Sequence, residues 1–296
     1  NVHPAYHGRS IGRKLVQATV ERSVTEGWKY QTIATWSGNM KSVPTYKKTG
    51  YFWVPDSSVW LENYIPGALQ MPLARPFFAR HNWYQSYVRD LVQAPDDERW
   101  EGIKVYREQW RADGESLTIW IDREAKAPCA IETDEVMVSI VPRETEPLQG
   151  SAVQVNWRIQ NKRAEPMHVH IQASGTKGLE IDHREAFTVP GGLTVEHAAT
   201  VRVADDAPRT LDDGTAPKVL SVITLDHTEV ELACGLQARV PLSIDTYPEL
   251  LSIPAGAQRT VALQVHSELD APVAGRCYLM PSPGLELDAT ELPLSL

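Results

Sequence analysis

The chain has 296 residues, 42% of them hydrophobic, with a formal net charge of −9. That content excludes a disordered chain and fits one large domain or two to three ordinary ones. No apolar run approaches the ~20 residues a membrane helix needs, and no charged start followed by an apolar stretch marks a secretory signal.

Charge is uneven along the chain. Residues 1–60 hold eight Lys/Arg against three Asp/Glu, residues 61–130 nine against eleven, and residues 131–296 twelve against 24. A basic head suits an anionic small ligand, and an acidic remainder argues against nucleic acid.

The first elements alternate helix and strand signals. "HGRSIG" (7–12) supplies a Gly-containing loop, and Ile11, Leu15, Thr19, Val20 and Val24 form a helical stripe that ends at Gly27. "WKYQTIATW" (28–36) is aromatic and β-branched and reads as a strand. In "NMKSVPTYKKTG" (39–50), Ser42 suits a helix cap, Pro44 the first turn, and Gly50 a stop. "YFWVP" and "SSVWLENY" read as two strands joined by a turn.

Residues 63–130 carry three prolines near their start, a predicted helix over 82–93, and a hairpin in which alternating runs flank Asp113-Gly114. From 131 onward the pattern is all β, as in "SAVQVNWRIQN", "MHVHIQAS", "HAATVRVA" and "TVALQVHS". An offset of 106 residues lays Gly150, Val155, Pro166, Gly178, Leu179, Glu180, Asp182 and Glu185 onto Gly256, Val261, Pro272, Gly284, Leu285, Glu286, Asp288 and Glu291. A period near 100 matches one β-sandwich per repeat.

The order of elements in 1–62 resembles the second half of a GNAT-type N-acetyltransferase. The matching residues are "VHP" (2–4), "HGRSIG" (7–12), Asn39 and "SVPTYKKTGY" (42–51). The resemblance implies acetyl-CoA as donor and an amine as acceptor. Backbone N–H groups along His7, Gly8, Arg9, Ser10, Ile11, Gly12 and Arg13 would hold the pyrophosphate, as helix mouths do. The backbone near Val2 would pair with the pantetheine arm and supply an oxyanion donor, Asn39 would contact pantetheine, and Tyr46 would protonate the departing thiolate. Two positions depart from the family pattern: His7 stands where Gln or Arg is common, and Ser10 where Gly is common. No carboxylate stands out as the base, since Glu21 and Glu26 belong to the helix and Asp56 to a turn.

The expected architecture is multi-domain, α/β plus all-β. A truncated GNAT-like mixed α/β domain (1–62) is followed by a linker helix with a small α+β subdomain (63–130). A β-sandwich (131–245) and an incomplete second repeat (246–296) complete it. The repeats resemble bacterial immunoglobulin-like modules at the level of fold, which names no ligand. With no Met at position 1 and "ELPLSL" ending inside a strand-like pattern, the chain is expected to be an inactive fragment of a longer enzyme. The alternative is a non-catalytic binding or scaffolding protein run by its β modules.

Other groups favour structural readings. His168 and His170 sit two apart on a strand with no third ligand at a persuasive spacing, and "DDGT" (212–215) lacks the calcium-loop pattern, so no metal site is expected. Cys129, Cys234 and Cys277 form no C-x-x-C pair, which fits a reducing, cytoplasmic setting.

Overall fold

The computed structural model describes residues 9–89, 91–269 and 271–296. It divides after Gln237 into two compact units.

In the first unit, α1 (Ile11–Thr25) is followed by β1 (Gln31–Ala34), α2 (Val43–Lys47), β2 (Tyr51–Trp53) and β3 (Trp60–Asn63). The three strands form one sheet with β3 in the middle, antiparallel to both neighbours, through pairs such as Ile33↔Leu61 and Tyr51↔Asn63. Both helices pack on it: Val43, Tyr51, Val59 and Leu61 form a buried cluster against which Val16, Ile33, Met40, Tyr46 and Trp53 lie.

The stop signals act as expected. Gly27 adopts φ +76°, Gly27 N–H donates to Val24 O, and Trp28 N–H donates to Ser23 O, a Schellman end to α1. The face of α1 differs from the expected stripe. Val20 and Ser23 are buried, whereas Leu15 is 58% exposed. The strand expected over 28–36 is confined to Gln31–Ala34, leaving Trp28 and Trp36 exposed. Ser42 precedes α2 without capping it; its hydroxyl donates to Asn39 O at 3.0 Å.

Three short helices follow: α3 (Ile65–Gln70), α4 (Arg75–Arg80) and α5 (Trp83–Ser86). The helix expected over 82–93 is only α5. Asn82 starts it, its Oδ1 accepting from Tyr84 N–H and Gln85 N–H at 3.1 Å each. Tertiary partners then capture the backbone. Val88 N–H donates to Gln109 O at 2.8 Å, and Arg89 donates to the carbonyls of Tyr84, Tyr87 and Lys48.

The rest of the unit is β4 (Glu98–Trp100), β5 (Ile103–Ala112), β6 (Glu115–Asp122), β7 (Ala127–Glu132), β8 (Val136–Pro142), β9 (Ala152–Asn161), β10 (Met167–Gly175), β11 (Leu179–Glu180), β12 (Asp182–Val189), β13 (Thr194–Val203), β14 (Lys218–Leu225) and β15 (Thr228–Gly235). The Asp113-Gly114 hairpin forms between β5 and β6, with positive φ at both turn residues. An eight-stranded sheet runs β11-β13-β9-β8-β7-β6-β5-β4, and a four-stranded sheet runs β12-β10-β14-β15. The β7–β8 pairing carries the large sheet across residues 130 and 131. Trp157 Nε1, fully buried, donates to Ser221 Oγ at 3.0 Å and links the two sheets. His168 and His170 are exposed while Met167, Val169 and Ile171 are buried, and Asp213 Oδ1 accepts from Thr215 N–H and its hydroxyl. Among the described residues no cluster of His, Cys, Asp or Glu is arranged to hold a metal ion.

The second unit contains β16 (Leu242–Tyr247) paired with β17 (Ala262–Ser267), and β18 (Ala274–Tyr278) paired with β19 (Glu291–Ser295). The 106-residue offset holds at the level of pairing. Val136↔Asn161 on β8–β9 maps onto Leu242↔Ser267 on β16–β17 in the same register. The second hairpin slips by one: Met167↔Val189 on β10–β12 becomes Ala274↔Ser295, which corresponds to position 168 opposite 189. Tyr247, Leu250 and Met280 are more than 80% exposed in this unit. No described helix is long and apolar enough to cross a membrane.

Candidate functional site

The mouth of α1 begins at Ser10, whose backbone is left-handed (φ +56°, ψ +21°) and whose carbonyl accepts from Lys14 N–H at 3.0 Å. Among the described residues no side chain caps the helix, and its first turn contains no acid. The resulting patch is positive: uncapped N–H groups, the helix dipole, and the side chains of Arg13 and Lys14. A Cβ added at Gly12 would meet nothing within 4 Å, so packing alone does not require glycine there. Arg9 and Ser10 are exposed and Ile11 is half-buried. Val2, His7 and Gly8 lie outside the described residues.

Asn39 is half-buried and donates from Nδ2 to Thr35 Oγ1 at 2.8 Å, so its side chain ties the end of β1 to the turn before α2. Tyr46 is half-buried on α2 and meets Tyr51 edge-on at 5.6 Å between ring centroids. It shares the apolar cluster with Val16 of α1, which places α1 and Tyr46 on one face of the sheet.

A polar relay behind Tyr46 was not visible in the sequence. The Tyr51 hydroxyl donates to Gln31 Oε1 at 2.8 Å, and Gln31 Nε2 donates to Thr19 O at 2.7 Å and Ser23 Oγ at 2.6 Å. Burial, reinforced by Tyr46, pushes the Tyr51 phenol up to about 12, so it stays a neutral donor. The only local signal was a glutamine inside an otherwise aromatic and β-branched run.

Two acids near the small sheet are committed to structural partners. Glu62, passed over in the sequence reading, is buried, accepts from the Tyr64 hydroxyl at 2.8 Å and lies 3.3 Å from Lys126 Nζ. Asp96 pairs with the buried Lys47. A cavity of about 310 Å³ opens beside β2, lined by Tyr51, Phe52, Tyr87, Arg89 and Tyr106 among others. Glu108 on β5 is fully buried, and burial pushes its carboxyl up to about 8 against the Tyr87 hydroxyl and the Tyr64 backbone N–H.

The model of the acetyltransferase (GNAT) family matches residues 1–51. No curated protein matches the chain. Among solved structures, the FixG-related protein from Vibrio parahaemolyticus is 10% identical over 36% of this chain and 98% of its own, with a TM-score of 0.27. Escherichia coli alpha-2-macroglobulin activated by porcine elastase is 13% identical over 54% of this chain and 15% of its own (TM-score 0.33). The sporulation control protein Spo0M from Bacillus subtilis is 15% identical over 35% of this chain and 49% of its own (TM-score 0.23). Likenesses at that level carry no argument about function.

Proposed function

We propose that residues 1–62 form the acetyl-CoA-binding part of an N-acetyltransferase that delivers an acetyl group to an amine. The observation that carries this reading is the uncapped, acid-free mouth of α1 on the same sheet face as Tyr46, within the stretch matched by the family model. Backbone N–H groups of the loop from His7 to Arg13 bind the pyrophosphate. Asn39 and the backbone near Val2 line the pantetheine arm.

The neutral amine attacks the thioester carbonyl, and the N–H near Val2 stabilises the oxyanion. As the intermediate collapses, the nitrogen gives up its extra proton to water, the C–S bond breaks, Tyr46 gives its proton to the CoA thiolate, and Tyr46 is reprotonated from solvent. The Gln31–Tyr51 relay holds the ring against which Tyr46 rests. The modular reading places 63–130 as a linker subdomain, and 131–245 with 246–296 as β modules that position the transferase or a partner.

Calorimetric titration of acetyl-CoA into the chain tests the reading. Saturable binding with one site per chain is expected, and no binding by the folded chain removes the reading. In the full-length protein, Tyr46→Phe leaves that affinity within about twofold and slows thiol release from acetyl-CoA in the presence of amines. A relic without catalysis is the second reading. The left-handed Ser10, where a glycine would sit without strain, favours it.

A further inference from the structure

We infer that Arg13, Tyr84 and Arg89 form a phosphomonoester subsite beside the mouth of α1, which engages the 3′-phosphate of coenzyme A. The inference rests on the CoA reading above and adds a part of the chain that the family match does not reach, since Tyr84 and Arg89 lie well beyond residue 51.

Two guanidinium groups converge on one ring. Arg89 Cζ lies 4.2 Å and Arg13 Cζ 5.6 Å from the Tyr84 ring centroid. Arginine keeps its charge at any accessible pH, so these are two permanent cations on one phenol. Among the described residues no carboxylate pairs with either. Their mutual repulsion is offset by the ring quadrupole and by backbone carbonyls.

The two arginines play different parts. Arg89 donates to Lys48 O at 3.0 Å, to Tyr87 O at 2.8 Å and to Tyr84 O, which fixes its plane and uses three of its N–H groups. Arg13 Nε is shielded from solvent with no partner. Its terminal amino groups are not shielded in that way, and a phosphate that accepts from them neutralises the pair. Arg13 also belongs to the first turn of α1. One residue therefore offers its backbone to the pyrophosphate and its side chain to a second phosphate on the same nucleotide.

The test is titration of the full chain with coenzyme A, 3′-dephospho-coenzyme A, adenosine 3′,5′-bisphosphate and inorganic phosphate. Coenzyme A is expected to bind about tenfold more tightly than the dephospho form, a difference typical of one charge-assisted contact set. Tyr84→Leu, and independently Arg89→Gln, should abolish that preference while leaving dephospho-coenzyme A binding within about twofold. Equal affinity of the wild-type chain for the two forms, or a preference that survives both substitutions, overturns the subsite while the CoA reading stands. If the wild-type chain binds neither form, the CoA reading falls. Adenosine 3′,5′-bisphosphate then decides: Arg89-dependent binding keeps the subsite, and its absence overturns that too. Inorganic phosphate that binds as tightly as the bisphosphate overturns the assignment to a nucleotide.

Discussion

The ammonium of Lys47 lies 2.6 and 2.7 Å from the two carboxylate oxygens of Asp96, although 48 intervening residues separate them in the chain. Lys47 is 3% exposed at its side chain. Asp96 also accepts from Trp53 N–H at 2.5 Å and donates its own N–H to Trp53 O at 2.8 Å, so residue 96 extends the edge of β2. Removing one member of a buried pair strands the other charge. Asp96→Ala should therefore lower stability by about 3–5 kcal/mol, whereas Lys48→Ala, at an exposed position, should change it by no more than about 0.5 kcal/mol. Urea unfolding followed by tryptophan fluorescence distinguishes the two.

Two buried acids set a pH dependence. Burial pushes Glu108 from 4.5 up to about 8 and Asp122 from 3.8 up to about 6, the latter against hydrogen bonds from Gly235, Ala125 and Glu124 backbone N–H groups. The folded chain holds protons that the unfolded chain has released, so stability falls as pH rises, first from about 4 to 6 and then on to about 8. Glu108→Gln should flatten the upper part of that decline and raise the melting temperature at pH 8 more than at pH 5. A melting temperature for the wild-type chain that rises steadily over that range would contradict the assignment.

Ser10 holds a conformation that L-residues other than Asn and Asp rarely adopt. Ser10→Gly should raise stability by up to about 1 kcal/mol, and on the proposed function it should also tighten acetyl-CoA binding by letting the backbone approach the phosphates. Ser10→Val should do the reverse in both. Thermal melting and calorimetry read the two effects separately.

Trp157 is a strong single anchor of the first unit. Its ring is fully buried, stacks on His183 at 5.1 Å, and its Nε1 bonds to Ser221. Trp157→Ala should cost about 3–5 kcal/mol, and Ser221→Ala about 1–3 kcal/mol because it leaves a buried donor unpaired. Leu263, the residue at the matching position of the repeat, is only half-buried; Leu263→Ala should cost well under half as much as Trp157→Ala in the same unfolding measurement.

Strand pairs in the second unit are two-stranded, and such ribbons are marginal in water. Amide hydrogen exchange should show β16–β19 exchanging far faster than β9, β13 and β14. Comparable protection in both units would show that something covers the exposed apolar side chains of the second.

What the sequence determined by itself was local. The Asp113-Gly114 turn, the Gly27 stop and the alternation along β9 and β10 are each written within a few residues, because turn chemistry and side-chain period act at that range. The tertiary structure decided which polar groups meet and where competing local signals give way. It chose Lys47 over Lys48 for burial, joined Gln31 to Tyr51, ended α5 at Ser86, ran one sheet through residues 130 and 131, and set Arg13 against Tyr84. Those outcomes depend on partners tens of residues away, and the free energy of satisfying a buried charge or backbone group outweighs the propensity of any single segment.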